Sequence, residues 1–82
     1  MEKQITIYST PTCHFCKLTK DFLTEKGLMY TEYNVADDLE KRKEMVDKSG
    51  QMGVPVIVVK EGDKEEMMIG FEEKQLSTLL NI

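Results

Sequence analysis

The amino-acid sequence predicts one α/β domain, with a mixed four-stranded sheet flanked by three helices in the order β-α-β-α-β-β-α. Stretches in which apolar residues alternate with polar ones are separated by stretches in which apolar residues recur at helical spacing. A dense β-branched run, Val56-Ile57-Val58-Val59, is typical of a strand buried on both faces. The 82 residues are enough for one small domain and too few for two, so residues 1–82 are assigned to a single domain.

The first predicted strand and helix flank two cysteines. Residues 4–8 alternate and are rich in β-branched residues, which predicts the first strand, and the Ser-Thr-Pro-Thr segment at residues 9–12 interrupts it. Gly27 then follows a helical pattern as a typical left-handed C-terminal residue, which predicts a helix from residue 13 or 14 to residue 26. Its apolar residues are Phe15, Leu18, Phe22 and Leu23.

The second strand and helix follow without a linker. Residues 28–35 return to alternation and predict the strand. The helix extends to residue 48, with Asp37 or Asp38 as its N-cap, Glu40 placed for a capping box with Asp37, and Gly50 at its end. The apolar stripe of this helix consists of Leu39, Met45 and Val46.

The last third of the chain predicts a hairpin and a helix. Residues 55–59 predict a central strand, residues 61–64 a turn of hairpin length, and residues 65–69 the antiparallel partner. Gly70 ends that strand, and residues 71–80 predict a helix with three leucines facing inward, Leu76, Leu79 and Leu80. The first β-α-β unit closes right-handedly into a parallel pair, which the hairpin extends into a mixed sheet.

Composition and charge exclude several classes of protein. Hydrophobic residues make up 40% and charged residues 32% of the chain, as in ordinary soluble globular proteins. The longest apolar run, residues 54–59, is too short for a bilayer, which needs about 20 residues. A net charge of −4 without a basic stripe makes nucleic acid an unexpected partner. No signal-peptide pattern follows Met1, so we expect a cytoplasmic protein without a membrane partner.

Cys13 and Cys16 are the only cysteines, and they lie between the first strand and the first helix. At this spacing they can bond to each other within one helical turn, and a cysteine at a helix start meets unpaired backbone N–H groups that favour the thiolate. The loop after the first strand lies at the carboxyl end of the sheet, where α/β folds tend to place their sites. A structural disulfide is less favoured because it would close too small a loop to restrain the unfolded chain much. Thiol–disulfide exchange is therefore the leading hypothesis.

Three motifs together resemble a known family over essentially the whole chain. They are Cys13-His14-Phe15-Cys16 opening the first helix, Gly53-Val54-Pro55 before the third strand, and Gly70-Phe71 before the last helix. The chain resembles glutaredoxin-like members of the thioredoxin superfamily, in the group of small bacterial redoxins that includes those serving ribonucleotide reductase. The resemblance implies a thioredoxin-like fold and a dithiol–disulfide oxidoreductase. Cys13 would attack the substrate disulfide, and Cys16 would resolve the mixed disulfide.

The same resemblance implies a surface that binds a peptide or glutathione. The Val54–Pro55 bond would be cis, with Pro55 against the cysteines and the Val54 backbone turned toward the substrate. Gly70 and Phe71 would belong to this surface. His14 has two interpretations, an imidazolium that lowers the pKa of the Cys13 thiol or a solvent-facing residue of small effect. The residues expected to border or modulate the site are Tyr8, Pro11, Thr12, His14 and Phe15.

Departures from the family pattern leave the electron donor open. Glutathione-using glutaredoxins typically carry Pro-Tyr between the cysteines, a basic residue and Thr before Val-Pro, and Gly-Gly followed by Asp before the last helix. In this chain the corresponding residues are His14-Phe15, Met52-Gly53 and Gly70-Phe71 followed by Glu72-Glu73. The Gly-Phe pair resembles redoxins reduced by a flavin thioredoxin reductase, but the Trp typical of ribonucleotide-reductase redoxins is absent.

The resemblance therefore implies a redox-active disulfide with no bound cofactor, and glutathione or a flavin thioredoxin reductase as donor. It implies a monomer that acts on protein disulfides such as those of peroxiredoxin or ribonucleotide reductase. A second hypothesis is a zinc or iron–sulfur module in which Cys13 and Cys16 supply half of a site shared across a dimer. A purely structural or interaction role is the third, and ordinary thiol reactivity would identify it.

Overall fold

Four strands form one mixed sheet in a computed structural model that describes residues 4–80. The elements are β1 (Gln4–Ser9), α1 (His14–Glu25), β2 (Thr31–Asn34), α2 (Leu39–Ser49), β3 (Val56–Glu61), β4 (Lys64–Ile69) and α3 (Glu73–Leu80). The strand order is β2-β1-β3-β4, with β1 parallel to β2 and antiparallel to β3, and β3 antiparallel to β4. The predicted sheet, the three helices and the central position of β3 are confirmed. Residues 1–3 and 81–82 of the predicted domain lie outside the described residues.

The core lies on both faces of the sheet because β1 and β3 alternate between them. One cluster lies on the face of the sheet that α1 and α3 cover, and it consists of Ile5, Ile7, Phe22, Leu23, Ile57, Val59, Met68, Leu76 and Leu80. The other, under α2, contains Tyr8, Val35, Met45, Val56 and Val58. Val56 and Ile57 are adjacent in β3 and both are fully buried, which confirms the prediction of a strand covered on both faces.

The start of α2 differs from the predicted capping box. Asp38 is the N-cap, and its carboxylate accepts the backbone N–H of Lys41 at 3.1 Å. The prediction that Asp37 forms a capping box with Glu40 is wrong, because the Asp37 carboxylate instead accepts from the Asn34 side-chain amide at 3.3 Å. The predicted end of the helix is confirmed, since Gly50 has φ of 73° and donates its N–H to the Val46 carbonyl at 2.8 Å.

Several boundaries also differ from the sequence prediction. The predicted turn at residues 61–64 is wrong in its extent, because Glu61 and Lys64 pair in β3 and β4 and only residues 62–63 lie between the strands. β2 contains only residues 31–34 of the predicted 28–35, because the Leu28 N–H donates to the Leu23 carbonyl at 2.9 Å and closes the end of α1. α3 begins at Glu73 rather than at Phe71, whose ring packs against Phe22 with 5.9 Å between centroids. None of the helices in the described residues is long and apolar enough to cross a membrane.

Candidate active site

The cysteines lie where the carboxyl end of β1 meets the amino end of α1. After Ser9, the turn formed by residues 10–12 leads to Cys13, whose backbone N–H donates to the Thr10 carbonyl at 3.2 Å. Cys13 has an extended backbone, with φ of −82° and ψ of 113°, and is the N-cap of α1. The sulfur of Cys13 is thereby held at the positive end of the helix dipole.

The Cys13 sulfur occupies the position that a capping oxygen usually takes. Its Sγ accepts the backbone N–H of Cys16 at 3.1 Å. The first turn of α1 contains no acidic side chain, so no carboxylate competes for the unpaired N–H groups there. This is the backbone environment from which a thiolate at Cys13 was predicted, and the thiolate itself stays a prediction.

Cys13 and Cys16 form a disulfide with their Cα atoms 5.2 Å apart, which is an ordinary separation for a disulfide. Only 1% of Cys16 is exposed, whereas Cys13 is half-buried. An external thiol or disulfide therefore reaches the Cys13 sulfur more readily than the Cys16 sulfur.

The residues beside the sulfurs are open to solvent. Pro11, Thr12 and His14 are exposed, and 55% of Phe15 is exposed. The His14 and Phe15 rings meet edge to face with 5.7 Å between centroids. These side chains form an accessible surface next to Cys13, and both interpretations of His14 stay predictions.

Tyr8 lies in the core on the α2 side of the sheet. Only 3% of Tyr8 is exposed, and its hydroxyl donates to the Glu44 carboxylate at 3.1 Å. Burial, reinforced by the negative charge of Glu44, raises the pKa of Tyr8 to about 12. The structure gives Tyr8 a packing role, and a role at the cysteines, which lie at the start of a helix on the opposite face, stays a prediction.

The Val54–Pro55 peptide bond is cis, as the resemblance implied. Pro55 is buried and Val54 is half-buried, directly before β3. The Pro55 carbonyl accepts the Gly70 N–H at 2.8 Å, which extends the β3–β4 pairing by one residue. The structure thus brings two of the three sequence motifs into contact.

Gly70 and Phe71 form the connection from β4 to α3. Gly70 has φ of 82°, a left-handed conformation that favours glycine. Phe71 is half-buried and packs its ring on Phe22, so its side chain contributes to the core. Glu72 and Glu73, which follow, are exposed at the start of α3 and place negative charge there.

Sequence reasoning missed a polar network in the loop between α2 and β3. The Gln51 side-chain amide bonds to both the N–H and the carbonyl of Gly53, and its Nε2 also lies 3.3 Å from the Ser49 hydroxyl. Met52, at the tip of this loop, is 57% exposed. A loop glutamine has no periodicity, so no sequence signal distinguished Gln51.

A second network, also missed, ties α1 to the sheet near the cysteines. One oxygen of the Glu32 carboxylate accepts from the Ser9 hydroxyl at 2.6 Å and pairs with the Lys20 ammonium at 2.8 Å. The Lys20 ammonium and, second, the Ser9 hydroxyl hold the pKa of the Glu32 carboxyl below its ordinary value. Ser9 is 1% exposed and directly precedes the cysteine loop, so this network joins the end of β1 to β2 and to the middle of α1.

Within residues 4–80, no group of three or more His, Cys, Asp or Glu side chains is arranged to hold a metal ion. Cys13 and Cys16 are bonded to each other, so both sulfurs of the pair are engaged in the oxidised state. The geometry of the site is that of a redox-active pair at a helix start.

The sequence of the chain is similar to those of known glutaredoxins. The glutaredoxin family model matches residues 5–63 of the chain. The chain is 43% identical over 76 residues to an uncharacterised glutaredoxin-like 8.6 kDa protein in the rubredoxin operon of Clostridium pasteurianum, covering 93% of this chain and 96% of that protein.

Two solved structures show the same fold. A point mutant of the thioredoxin-like protein BC3987 superposes with a TM-score of 0.83 at 31% identity, covering 95% of each chain. The Escherichia coli NrdH-redoxin, described as a glutaredoxin-like protein with a thioredoxin-like activity profile, superposes with a TM-score of 0.70 at 29% identity and covers 93% of each chain.

Proposed function

Because this chain belongs to the glutaredoxin family and is a thiol–disulfide oxidoreductase, we propose that Cys13 is its nucleophile and Cys16 its resolving thiol. The observation that carries the proposal is the Cys13 sulfur at the N-cap of α1, 3.1 Å from the Cys16 backbone nitrogen. The burial of Cys16 supports its second role, because a sulfur that external disulfides do not reach is still close to Cys13.

The proposed cycle transfers two electrons. The Cys13 thiolate attacks one sulfur of a substrate disulfide, forms a mixed disulfide and expels the first substrate thiolate. The Cys16 thiolate then attacks the Cys13 sulfur, closes the internal disulfide and expels the second substrate thiolate. The two protons lost by the protein thiols balance the two that the substrate thiolates take up through solvent.

The proposed binding surface comprises Val54, Pro55, Gly70 and Phe71. In this proposal the substrate backbone lies along Val54 while the substrate disulfide reaches Cys13, and the 2.8 Å hydrogen bond between Pro55 and Gly70 holds their two loops together. The exposed residues that flank Cys13, which are Pro11, Thr12, His14 and Phe15, modulate access and reactivity.

The electron donor in this proposal is glutathione or a flavin thioredoxin reductase. Glu72 and Glu73 repel the carboxylates of glutathione at a helix start that would otherwise attract them, which favours the reductase. Similarity to NrdH-redoxin, with its thioredoxin-like activity profile, supports the same route. Protein disulfides such as those of peroxiredoxin or ribonucleotide reductase are the proposed substrates. The metal-binding alternative is not favoured by the family match.

Two single-cysteine variants test the roles of the sulfurs. With a small disulfide, Cys16→Ser is expected to accumulate a mixed disulfide on Cys13, detected as a mass increase, because the resolving attack is lost. Cys13→Ser is expected to form no adduct and to lose turnover, and wild type to end as the internal disulfide. Full turnover by Cys13→Ser contradicts the proposal.

A separate assay identifies the donor. The oxidised protein is offered glutathione alone, or NADPH with a thioredoxin reductase, and the appearance of free thiols is followed with time. Faster reduction by the reductase, with no glutathione adduct on Cys13 by mass, is the expected result. Equal or faster reduction by glutathione would assign the donor to glutathione instead.

A further inference from the structure

One side chain that the proposed chemistry does not use holds the loop before Pro55. The Gln51 side-chain Oε1 accepts the Gly53 backbone N–H, and its Nε2 donates to the Gly53 carbonyl at 3.0 Å. The amide therefore pairs with both polar groups of Gly53, as the backbone of a neighbouring strand would.

The same side chain is anchored to the end of α2. Its Nε2 lies 3.3 Å from the Ser49 hydroxyl oxygen, which also accepts the Gln51 backbone N–H at 3.4 Å. Ser49, the last residue of α2, donates its own hydroxyl proton to the Met45 carbonyl at 2.7 Å. The loop is thus attached to the last turn of α2, which contains the buried Met45, through Ser49 and Gln51.

This arrangement decides which backbone groups are open to a substrate. The Gln51 side chain is hydrogen-bonded to both the N–H and the carbonyl of Gly53. The Val54 N–H and carbonyl, in contrast, have no hydrogen-bond partner among residues 4–80. We propose that Gln51 is a positioning residue that presents the Val54 backbone to the peptide chain of a protein disulfide. The inference rests on the proposed function, in which the substrate lies along Val54.

A substitution at Gly53 can also disrupt the contact between the Gln51 side-chain amide and the Gly53 backbone. A Cβ atom at residue 53 would lie 2.6 Å from the Gln51 Oε1, closer than real Cβ contacts allow. Because that oxygen is the far end of a flexible side chain, Gly53→Ala displaces the amide without breaking the fold. Gln51→Ala and Gly53→Ala therefore remove one interaction by two routes.

The test compares two disulfides under single-turnover conditions with the reduced protein. One is a short peptide with an internal disulfide, and the other is bis(2-hydroxyethyl) disulfide, which has no peptide backbone. For Gln51→Ala and for Gly53→Ala, the ratio of the peptide rate to the small-disulfide rate is expected to fall about three- to tenfold, the effect of losing one or two hydrogen bonds. In the double variant this ratio is expected to be no lower than in the single variant with the lower ratio, because both substitutions remove the same interaction.

Two controls separate positioning from general damage. Gln75→Ala, which removes an exposed glutamine on α3, is expected to keep the wild-type ratio. Alkylation of Cys13 by iodoacetamide is expected to keep its wild-type pH profile in both loop variants, because α1 is untouched.

The inference is overturned if Gln51→Ala keeps the wild-type ratio of the peptide rate to the small-disulfide rate, or if both rates fall equally. It is also overturned if the loss in the double variant equals the combined losses of the two single variants. These results leave the proposed function standing as long as wild type reduces the peptide. Failure of reduced wild type to react with either disulfide removes the proposed function itself, and this inference with it.

Discussion

Replacing Glu32 by Gln is expected to lower the free energy of unfolding by about 1 kcal/mol near pH 7. The Ser9 hydroxyl, 1% exposed, donates to the Glu32 carboxylate at 2.6 Å, and a hydrogen bond to a charged group contributes roughly 1.5–3 kcal/mol against about 1 for a neutral one. The Gln side chain still accepts the Ser9 hydroxyl as a neutral group, so the variant loses only the difference between the two hydrogen-bond energies. The Lys20 pair adds only about 0.2–1 kcal/mol because 32% and 34% of the two side chains are exposed.

The pH dependence of this loss has a definite sign. The folded protein lowers the pKa of Glu32 from its ordinary 4.5, chiefly through Lys20 and then through Ser9. Above that ordinary value the carboxylate is ionised in both states and its contribution is complete, and the contribution disappears as the pH falls through the lowered pKa of the folded state. The deficit of Glu32→Gln is therefore constant near neutrality and shrinks below about pH 4.5.

Urea unfolding followed by circular dichroism at several pH values measures the deficit directly. A loss of this size corresponds to a decrease in Tm of about 4–8 °C for a domain of this length. Glu25→Gln is the matched control, since Glu25 is exposed at the end of α1 and forms no ion pair with a residue in the described part of the chain. Equal stability of the two variants at pH 7, or a deficit that persists unchanged in acid, refutes the reasoning.

Two further predictions concern the α2 side of the sheet. Asp38→Ala removes the N-cap that accepts the Lys41 N–H and is expected to cost about 1 kcal/mol in urea unfolding, whereas Asp37→Ala, the matched neighbour, should cost clearly less. The reverse order would mean that Asp37 caps the helix. Tyr8→Phe is expected to remove the tyrosinate absorbance that appears near pH 12 in folded wild type, because burial and then Glu44 raise the pKa of Tyr8. An identical titration curve in the variant would contradict this assignment.

The order and type of every element followed from local pattern, but several ends depended on tertiary contacts. Two adjacent aspartates both fit an N-cap, and the choice of Asp38 depends on Asn34, whose carbonyl accepts the N–H groups of both aspartates while its amide binds Asp37. Phe71 fits the helical periodicity of α3, but it lies before the helix because its ring packs on Phe22. Periodicity identifies a face and does not indicate which distant side chain it meets.

The cysteine pair could be found from the sequence because its chemistry is local, with both sulfurs in one helical turn. The supporting contacts could not be found in this way. Ser9 and Glu32 are 23 residues apart, and their bond exists only after β1 and β2 pair in register. The Gln51 contacts are short in sequence but depend on the reversal of the chain at Gly50, where φ is 73°.

The hydrogen bond between Gly70 and Pro55 makes the loops before β3 and before α3 a single mechanical unit. The same two loops are also joined by the antiparallel pairing of β3 with β4, which begins at Val56 and Ile69. Substitutions in residues 52–54 and in residues 70–73 are therefore expected to be non-additive in their effect on any thiol or disulfide that contacts both loops.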